Sequence, residues 1–467
     1  MQKIFLKTYG CTLNQSDSDL IEGMLEKGDY SFVSTADEAD TVIVNTCAVK
    51  ETTENKILWY LGELEKLGKK VIVAGCLTTA NLPAVRKASP KAIAYVGPNS
   101  VGKIPLILEN DFHVGNFGSN NVGGIHANLD NSNNAQVGNL LQPIQNTNST
   151  SHSPILELKD DFASKFDLTK KYGKSIFARI QTSSGCMSNC TFCATKIARG
   201  VFRSKPPSLI LNEARLAIKS RAKELQLASQ DNGCYGYDLK TSIPLLLPQL
   251  NDLDGRFRIR VGMANPQHFL KNLDEWLEAF SLPKVYKFLH LPIQSGSNKI
   301  LKLMNRGYAI DQAVDVAKEF RKKFPDMTLE TDIIVGFPGE TEAEFEQSLD
   351  VCTQLGFEVV NFAKYSKRPG TKAAKMVQID TSVKKQRSEK IDLHVKQIAL
   401  SQNQKLIGNE YDVLITEEGK NGYMQGRAEN YRPILIKKLK TDGSNWEIGE
   451  FAHVRVASAS VTSLIAN

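Results

Sequence analysis

Gly185-Cys186-Met187-Ser188-Asn189-Cys190-Thr191-Phe192-Cys193 follows closely on the apolar run Ile176-Phe177-Ala178-Arg179-Ile180. Three cysteines at a spacing of C-x3-C-x2-C can hold three corners of a 4Fe-4S cube. No fourth cysteine follows nearby, which leaves one iron without a protein ligand. An open position is what a catalytic metal site needs and a structural site avoids. The plainer alternatives are a zinc site or a set of buried thiols. Zinc would want a fourth Cys or His close by. His152 lies upstream in an Asn-rich stretch, and the next histidine after Cys193 is His268.

The 467 residues suggest two or three domains, large enough to bury full cores without disulfides. Met1-Gln2-Lys3 leads directly into a strand-like run, so no signal peptide is expected. No segment has the length and apolarity of a membrane span. A cytoplasmic chain is the expectation, and there its eight cysteines point to metal or catalysis. The net charge of +7 is concentrated. Between Lys364 and Lys405 stand eleven Lys or Arg against three acids, Asp380, Glu389 and Asp392. Such a block suits a phosphate backbone, or equally a solvated helix face.

Residues 1–112 alternate short apolar strands (Lys3–Leu6, Thr41–Val44, Val71–Ala74) with amphipathic helices. One helix is expected from a cap at Ser16 or Asp17, and another runs from Thr53 to a stop at Gly68. This is a βα pattern with a parallel sheet. Cys11, Cys47 and Cys76 each fall just after the end of a strand, the edge where open parallel sheets bind ligands. One such cysteine would read as structural, but three at equivalent positions suggest a second cluster. Residues 113–160 are rich in Asn, Gly and Ser and read as a disordered insertion.

Over 172–400, six strand candidates alternate with helical material: 176–181, 224–229, 257–263, 287–293, 329–335 and 359–365. Six βα units make an incomplete barrel with a side opening, and its motifs sit at strand C-terminal ends. From 404 to 467 the pattern turns all-β and fits a small five-stranded barrel. The class is therefore α/β, with a parallel βα domain, a partial (βα)6 barrel and a terminal β-barrel. Cys352 lies in an apolar helical pattern and reads as core, and Cys234 has no evident role.

The three-cysteine stretch resembles the signature of the radical S-adenosylmethionine (SAM) enzymes. Tyr9-Gly10-Cys11, Asn45-Thr46-Cys47 and Gly75-Cys76 resemble the N-terminal domain of the methylthiotransferases. Leu291-Pro292-Ile293-Gln294-Ser295-Gly296-Ser297 and Asp332-Ile333-Ile334-Val335-Gly336-Phe337-Pro338-Gly339-Glu340-Thr341 resemble later motifs of the same family. Thr8-Tyr9-Gly10-Cys11-Thr12-Leu13-Asn14-Gln15-Ser16-Asp17 and Ser229-Gln230-Asp231-Asn232-Gly233-Cys234-Tyr235-Gly236 are most similar to the archaeal and eukaryotic threonylcarbamoyladenosine group. The long insertion departs from the family.

The resemblance implies two 4Fe-4S clusters, one on Cys186, Cys190 and Cys193 and one on Cys11, Cys47 and Cys76. It implies SAM near Phe192, Gln294, Ser295, Arg306, Gly336, Pro338 and Gly339, with Arg306 also a candidate for the substrate. One SAM would methylate a sulfur on the second cluster. Another would yield the radical that takes hydrogen from C2 of a modified adenosine beside the anticodon. The terminal barrel resembles the TRAM domain, where Arg427, Tyr431, Arg432, Lys437 and Lys438 are candidate RNA contacts. The partners implied are tRNA and an unidentified electron donor. Isopentenyladenosine or a ribosomal protein is the alternative substrate, and a zinc-holding RNA-binding protein the alternative from another class.

Overall fold

In a computed structural model of the chain, the described residues are 1–116, 154–158, 165, 166, 168, 170, 172, 173, 175–440 and 442–466. Most of the Asn-rich insertion, with His152, lies outside them. The N-terminal sheet holds β1 (Gln2–Thr8), β2 (Tyr30–Phe32), β3 (Thr41–Thr46), β4 (Lys70–Gly75), β5 (Ala94–Val96) and β6 (Ile155–Glu157). Its order is β2-β1-β3-β4-β5-β6, and every pairing is parallel. Side chains alternate across a strand, so one run of apolar residues fills two cores. Val42, Val44, Val71 and Val73 meet Ile57, Leu61 and Leu64 of the helix Glu51–Lys66. Ile43 and Ile72 meet Leu20, Ile21 and Leu25 of the helix Thr12–Leu25 on the other face.

Two expectations need correction. The first helix starts at Thr12 with Cys11 in the cap position, five residues before Ser16, the earlier of the two expected caps. Ser16 and Asp17 are interior helical residues because contacts with the second domain employ their side chains. Ile155–Glu157, expected within the disordered insertion, extends the sheet as β6 by pairing with β5.

The middle domain follows the expected six strands: β7 (Phe177–Gln181), then, after the two-residue strands β8 (Ser183–Ser184) and β9 (Arg203–Ser204), β10 (Glu224–Ala228), β11 (Arg258–Val261), β12 (Phe288–His290), β13 (Thr328–Val335) and β14 (Val359–Lys364). They form two parallel sheets, β11-β10-β7 and β12-β13-β14, and a parallel bridge from Ile259 to Val285 joins them into one arc. No pairing joins β7 to β14 among the described residues, so the arc is open. The helix Ile243–Asn251 is hard to see in the sequence because Pro244 and Pro248 obscure it. Ser242 caps it, and Pro244 falls in the first turn, where a missing N–H costs nothing.

The N-terminal domain lies across this gap and is held at both sides. At β7, Arg179 pairs with Asp19 at 3.1 Å and Ser16 Oγ donates to the Arg179 carbonyl at 3.2 Å. Beyond β14, Arg368 pairs with Glu54 and donates to the Val49 carbonyl at 2.9 Å. The long helix Thr381–Gln404 leads to a closed barrel of β15 (Glu410–Glu418), β16 (Tyr423–Ala428), β17 (Pro433–Lys437), β18 (Phe451–Ala459) and β19 (Leu464–Ala466). This barrel sits at the starts of β12 and β13, where Lys287 N donates to Glu429 O (2.8 Å) and Thr328 Oγ1 to Asn430 O (2.6 Å). No helix among the described residues is long and apolar enough to cross a membrane.

Candidate active site

The thiols at the N-terminal sheet edge come from three adjacent strands. Cys11 follows β1, Cys47 follows β3 and Cys76 follows β4. Asn14 ties the edge together: its Oδ1 lies 3.8 Å from Cys11 Sγ and 3.7 Å from Cys76 Sγ, while its Nδ2 donates to the Tyr9 and Thr46 carbonyls. Gly10, at φ +108, packs so closely on Cys47 that a Cβ there would stand 2.7 Å from the cysteine's own. Burial pushes the Cys47 thiol up to about 12 and raises Cys76, against which the Arg199 guanidinium pulls the other way.

The second triad stands on the loop after β8. Cys186, Cys190 and Cys193 line the same cavity as Cys11, Cys47 and Cys76, a cleft of about 520 Å³ between the two domains. Burial, with Asp231 nearby, pushes the Cys186 thiol up to about 12. Each triad has an arginine on one sulfur. Arg306 Nη1 donates to Cys190 Sγ at 3.3 Å and Arg199 Nε to Cys76 Sγ at 3.3 Å. Arg199 ends the helix Thr195–Arg199, which begins two residues after Cys193, yet it serves the other triad. It also binds Asp17 (2.8 Å) and Asn14 (2.9 Å), and its Nη1 is buried without a partner. Three soft sulfur donors per triad, each with a guanidinium aimed at sulfur, fit an anionic iron–sulfur group and not a hard cation. Hydrogen bonds to cluster sulfurs are also a means by which proteins set its potential.

Among the expected SAM contacts, Phe192, Gln294 and Arg306 line the cleft. Gln294 holds a left-handed φ of +68, fixed by its bridge to Ile333. Ser295, Gly336, Pro338 and Gly339 are not part of the cleft wall. Ser295 is buried and accepts from Ser297 N at 3.2 Å. Gly336 N donates at 2.7 Å to Glu340, which Arg387 clamps at 2.8 Å. The turn thus supports the site from behind: Phe337 packs edge-on against Phe192, ring centres 6.4 Å apart.

The five expected RNA contacts separate. Arg432 is buried, paired with Glu358 at 2.9 Å and Asn403 at 2.5 Å, so it anchors the barrel and is no surface contact. Tyr431 packs on Tyr286 and Phe288 at centroid distances of 4.9 and 4.6 Å, with Arg427 over its ring at 5.0 Å. Lys437 is exposed, and Lys438 pairs with Glu418 at 3.0 Å. Five of the eleven bases in the Lys364–Lys405 block form ion pairs, Arg368 and Arg387 among them.

Sequence reasoning missed the polar wall of the barrel: Arg260, His290, Glu330, Asp332 and Asn361. A signal was present, because buried parallel strands are ordinarily near-continuous apolar runs and these are interrupted at inward positions. His290 bonds Asp332 at 3.1 Å and faces Glu330 at 3.7 Å. Burial alone would lower its pKa, but the two carboxylates raise it. Asp231, also on the wall, accepts from Gly233 N and Asn265 N at 3.0 Å each, and it lies within 4.8 Å of Cys234 and His268. Cys234 Sγ, wholly buried, donates to the Asp231 carbonyl at 3.2 Å. Cys352 is core, as expected.

Three family descriptions match parts of the chain: Uncharacterized protein family UPF0004 over residues 3–97, Radical SAM superfamily over 180–352 and TRAM domain over 404–467. The chain is 36% identical to a probable threonylcarbamoyladenosine tRNA methylthiotransferase of Pyrococcus horikoshii, covering 100% of this chain and 99% of the relative. It is 30% identical to the threonylcarbamoyladenosine tRNA methylthiotransferase of Drosophila melanogaster, covering 99% and 77%. A tRNA-2-methylthio-N(6)-dimethylallyladenosine synthase of Salinispora arenicola is 31% identical, covering 92% and 81%. In fold, the chain is similar to a radical SAM methyltransferase of Kitasatospora setae at a TM-score of 0.55 and 14% identity, covering 80% and 75%. With this likeness over its full length, the chain belongs to the radical SAM methylthiotransferases, in the threonylcarbamoyladenosine tRNA family.

Proposed function

We propose that this chain places a methylthio group on C2 of N6-threonylcarbamoyladenosine beside the anticodon of tRNA. The observation that carries the reading is the meeting of two cysteine triads on one interdomain cleft. Cys186, Cys190 and Cys193 would hold the cluster that binds SAM, and Cys11, Cys47 and Cys76 the auxiliary one. When bound, these groups supply one-electron cleavage of SAM, a methyl group and sulfur. The protein's part is position and exclusion of water. Phe192, Gln294 and Arg306 shape the SAM side of the cleft. Arg199 and Arg306 hold positive charge against sulfur. The N-terminal domain covers the open arc, so one base can enter between the triads while the rest of the RNA stays outside. Exposed Lys364, Lys367, Lys372 and Lys375 beside this opening, with Lys437 on the terminal barrel, supply phosphate contacts. The work requires reduced thiols, an electron donor and tRNA, which places it in the cytoplasm.

The test is iron and acid-labile sulfide per chain after anaerobic reconstitution, with nucleoside analysis of tRNA from cells lacking the gene. Wild type should hold about eight irons, and a Cys186/Cys190/Cys193→Ala variant about four. Cells lacking the gene should lose 2-methylthio-N6-threonylcarbamoyladenosine. A colourless protein with stoichiometric zinc, or an unchanged nucleoside, would sink the reading. Loss of the isopentenyl counterpart would move the substrate to that class.

A further inference from the structure

The wall of the cleft carries six cationic side chains: Lys50, Arg199, Arg260, Arg306, Lys364 and Arg368. Three have fixed duties: Arg199 on Asp17 and Cys76, Arg306 on Cys190 and the Pro292 carbonyl, and Arg368 on Glu54. Lys50 and Lys364 are exposed at the opening. Arg260 is different. It points into the barrel from β11, opposite in sense to buried Ile259 and Val261. Its side chain makes no hydrogen bond or ion pair among the described residues, and its Nε is buried without a partner. Its guanidinium lies on two aromatic faces, 4.9 Å from the centre of Phe288 and 5.3 Å from that of Tyr431.

The nearby acids have other partners. Glu224 accepts from Tyr286 (3.1 Å) and Gln226 (2.7 Å). Glu330 accepts from Asn361 at 2.7 Å, and Asp332 bonds His290. A guanidinium stacked on rings has lost hydration on its faces but keeps its N–H edge for a planar anion. Leaving such an edge unpaired inside a protein is costly, so its presence in a cavity argues for a ligand.

We propose that Arg260 receives the carboxylate of the amino-acid substituent on the target adenosine, and so separates a threonylcarbamoyl base from an aliphatic one. This rests on the function proposed above. An isopentenyl group has no acceptor and would leave the guanidinium unpaired. A site built around a hydrogen-bonding group rejects analogues lacking it far more strongly than an apolar pocket rejects a changed methylene. Arg260 is thus a specificity residue on the cleft wall, packed on Phe288 at the start of β12 and on Tyr431 of the terminal barrel.

The test uses reconstituted holoenzyme and labelled anticodon stem-loop RNAs carrying threonylcarbamoyladenosine or its carboxyl methyl ester. Wild type should bind the free acid roughly 10- to 100-fold more tightly than the ester, as for a charge-assisted hydrogen-bonded pair. Arg260→Met should bind both RNAs alike, near the wild-type affinity for the ester. Arg260→Lys should recover part of the preference. Iron content and RNA-independent SAM cleavage should match wild type in both variants. Equal binding of acid and ester by wild type, or full discrimination by Arg260→Met, would overturn the assignment. Loss of SAM cleavage in both variants would also overturn it, since Arg260 would then serve SAM. Failure of wild type to methylthiolate the threonylcarbamoyl RNA would defeat the function itself. Turnover by wild type with discrimination kept in Arg260→Met would defeat only the role of Arg260.

Discussion

Arg199 shows how one side chain can belong to two sites. Its own segment carries the second triad, but its guanidinium is buried on Asp17, 182 residues earlier, and on Cys76. Breaking one partner of a buried pair leaves a charge uncompensated, at about 3–5 kcal/mol. Arg199→Met should therefore lower the unfolding free energy of apo-protein toward the lower end of that range, because Lys165 still binds Asp17 at 2.5 Å. Denaturant titration checks this, and iron analysis should show the N-terminal site depleted. A second residue makes a pH prediction. Burial alone would raise the Glu213 carboxyl, but Lys170 and Lys205 bring it down to about 2. The folded value lies below the unfolded one, near 4.3, so this stabilisation is present above about pH 4.3 and is lost as pH falls toward 2. Apo-protein unfolding followed from pH 5 to 2 should show it, and Glu213→Gln should flatten that part of the curve.

Among the elements, those with local signals were legible. The helix Glu342–Leu355 is marked at both ends in the sequence, because Thr341 and Glu344 form a capping box and Gly356 ends it in the left-handed region. The first helix starts earlier than its sequence suggests because Ser16 and Asp17 are good caps whose side chains a distant domain recruits. At the β4 end, Gly75 has φ +95, and a Cβ there would stand 2.4 Å from Asn45 Oδ1 and 2.6 Å from the Thr46 carbonyl. Backbone strain alone is worth about 1–3 kcal/mol, and the clash adds to it. Gly75→Ala should thus destabilise by at least about 2 kcal/mol and reduce iron from about eight toward about four, read by denaturation and iron assay.

For the whole molecule, the decisive contacts are the ion pairs between domains. Glu358 is buried and binds Arg321 at 2.8 Å and Arg432 at 2.9 Å, joining the arc to the terminal barrel. Glu358→Ala leaves two guanidinium groups without it and should cost about 3–5 kcal/mol. Limited proteolysis should then cut at the junction near residues 404–410 and release the barrel, which wild type should resist. The open lysines make the complementary prediction. Replacing Lys367, Lys372 and Lys375 by Ala should weaken tRNA binding and reduce the slope of log K against log salt by roughly 2, at about 0.7 for each phosphate no longer neutralised. Arg432 is not expected to contribute to that slope, because its charge is already used inside the protein.

The cysteine triads, the six βα units and the all-β ending can be read without any coordinates. Each is written in short spacing: C-x3-C-x2-C, a strand followed by its helix, and strands separated by Gly and Asn turns. The placement of Cys11, Cys47 and Cys76 at strand ends was enough to infer that they converge, because a parallel sheet presents those ends on one edge. Long-range packing settles the rest: both triads share one cleft, Arg199 crosses from one to the other, Arg432 anchors the barrel, and Arg260 stands unpaired in the arc. The reason is physical. A charged side chain looks the same in the sequence whether solvent, a carboxylate or a sulfur receives it, and that choice depends on burial and on partners well over a hundred residues away, as with the 182 that separate Arg199 from Asp17.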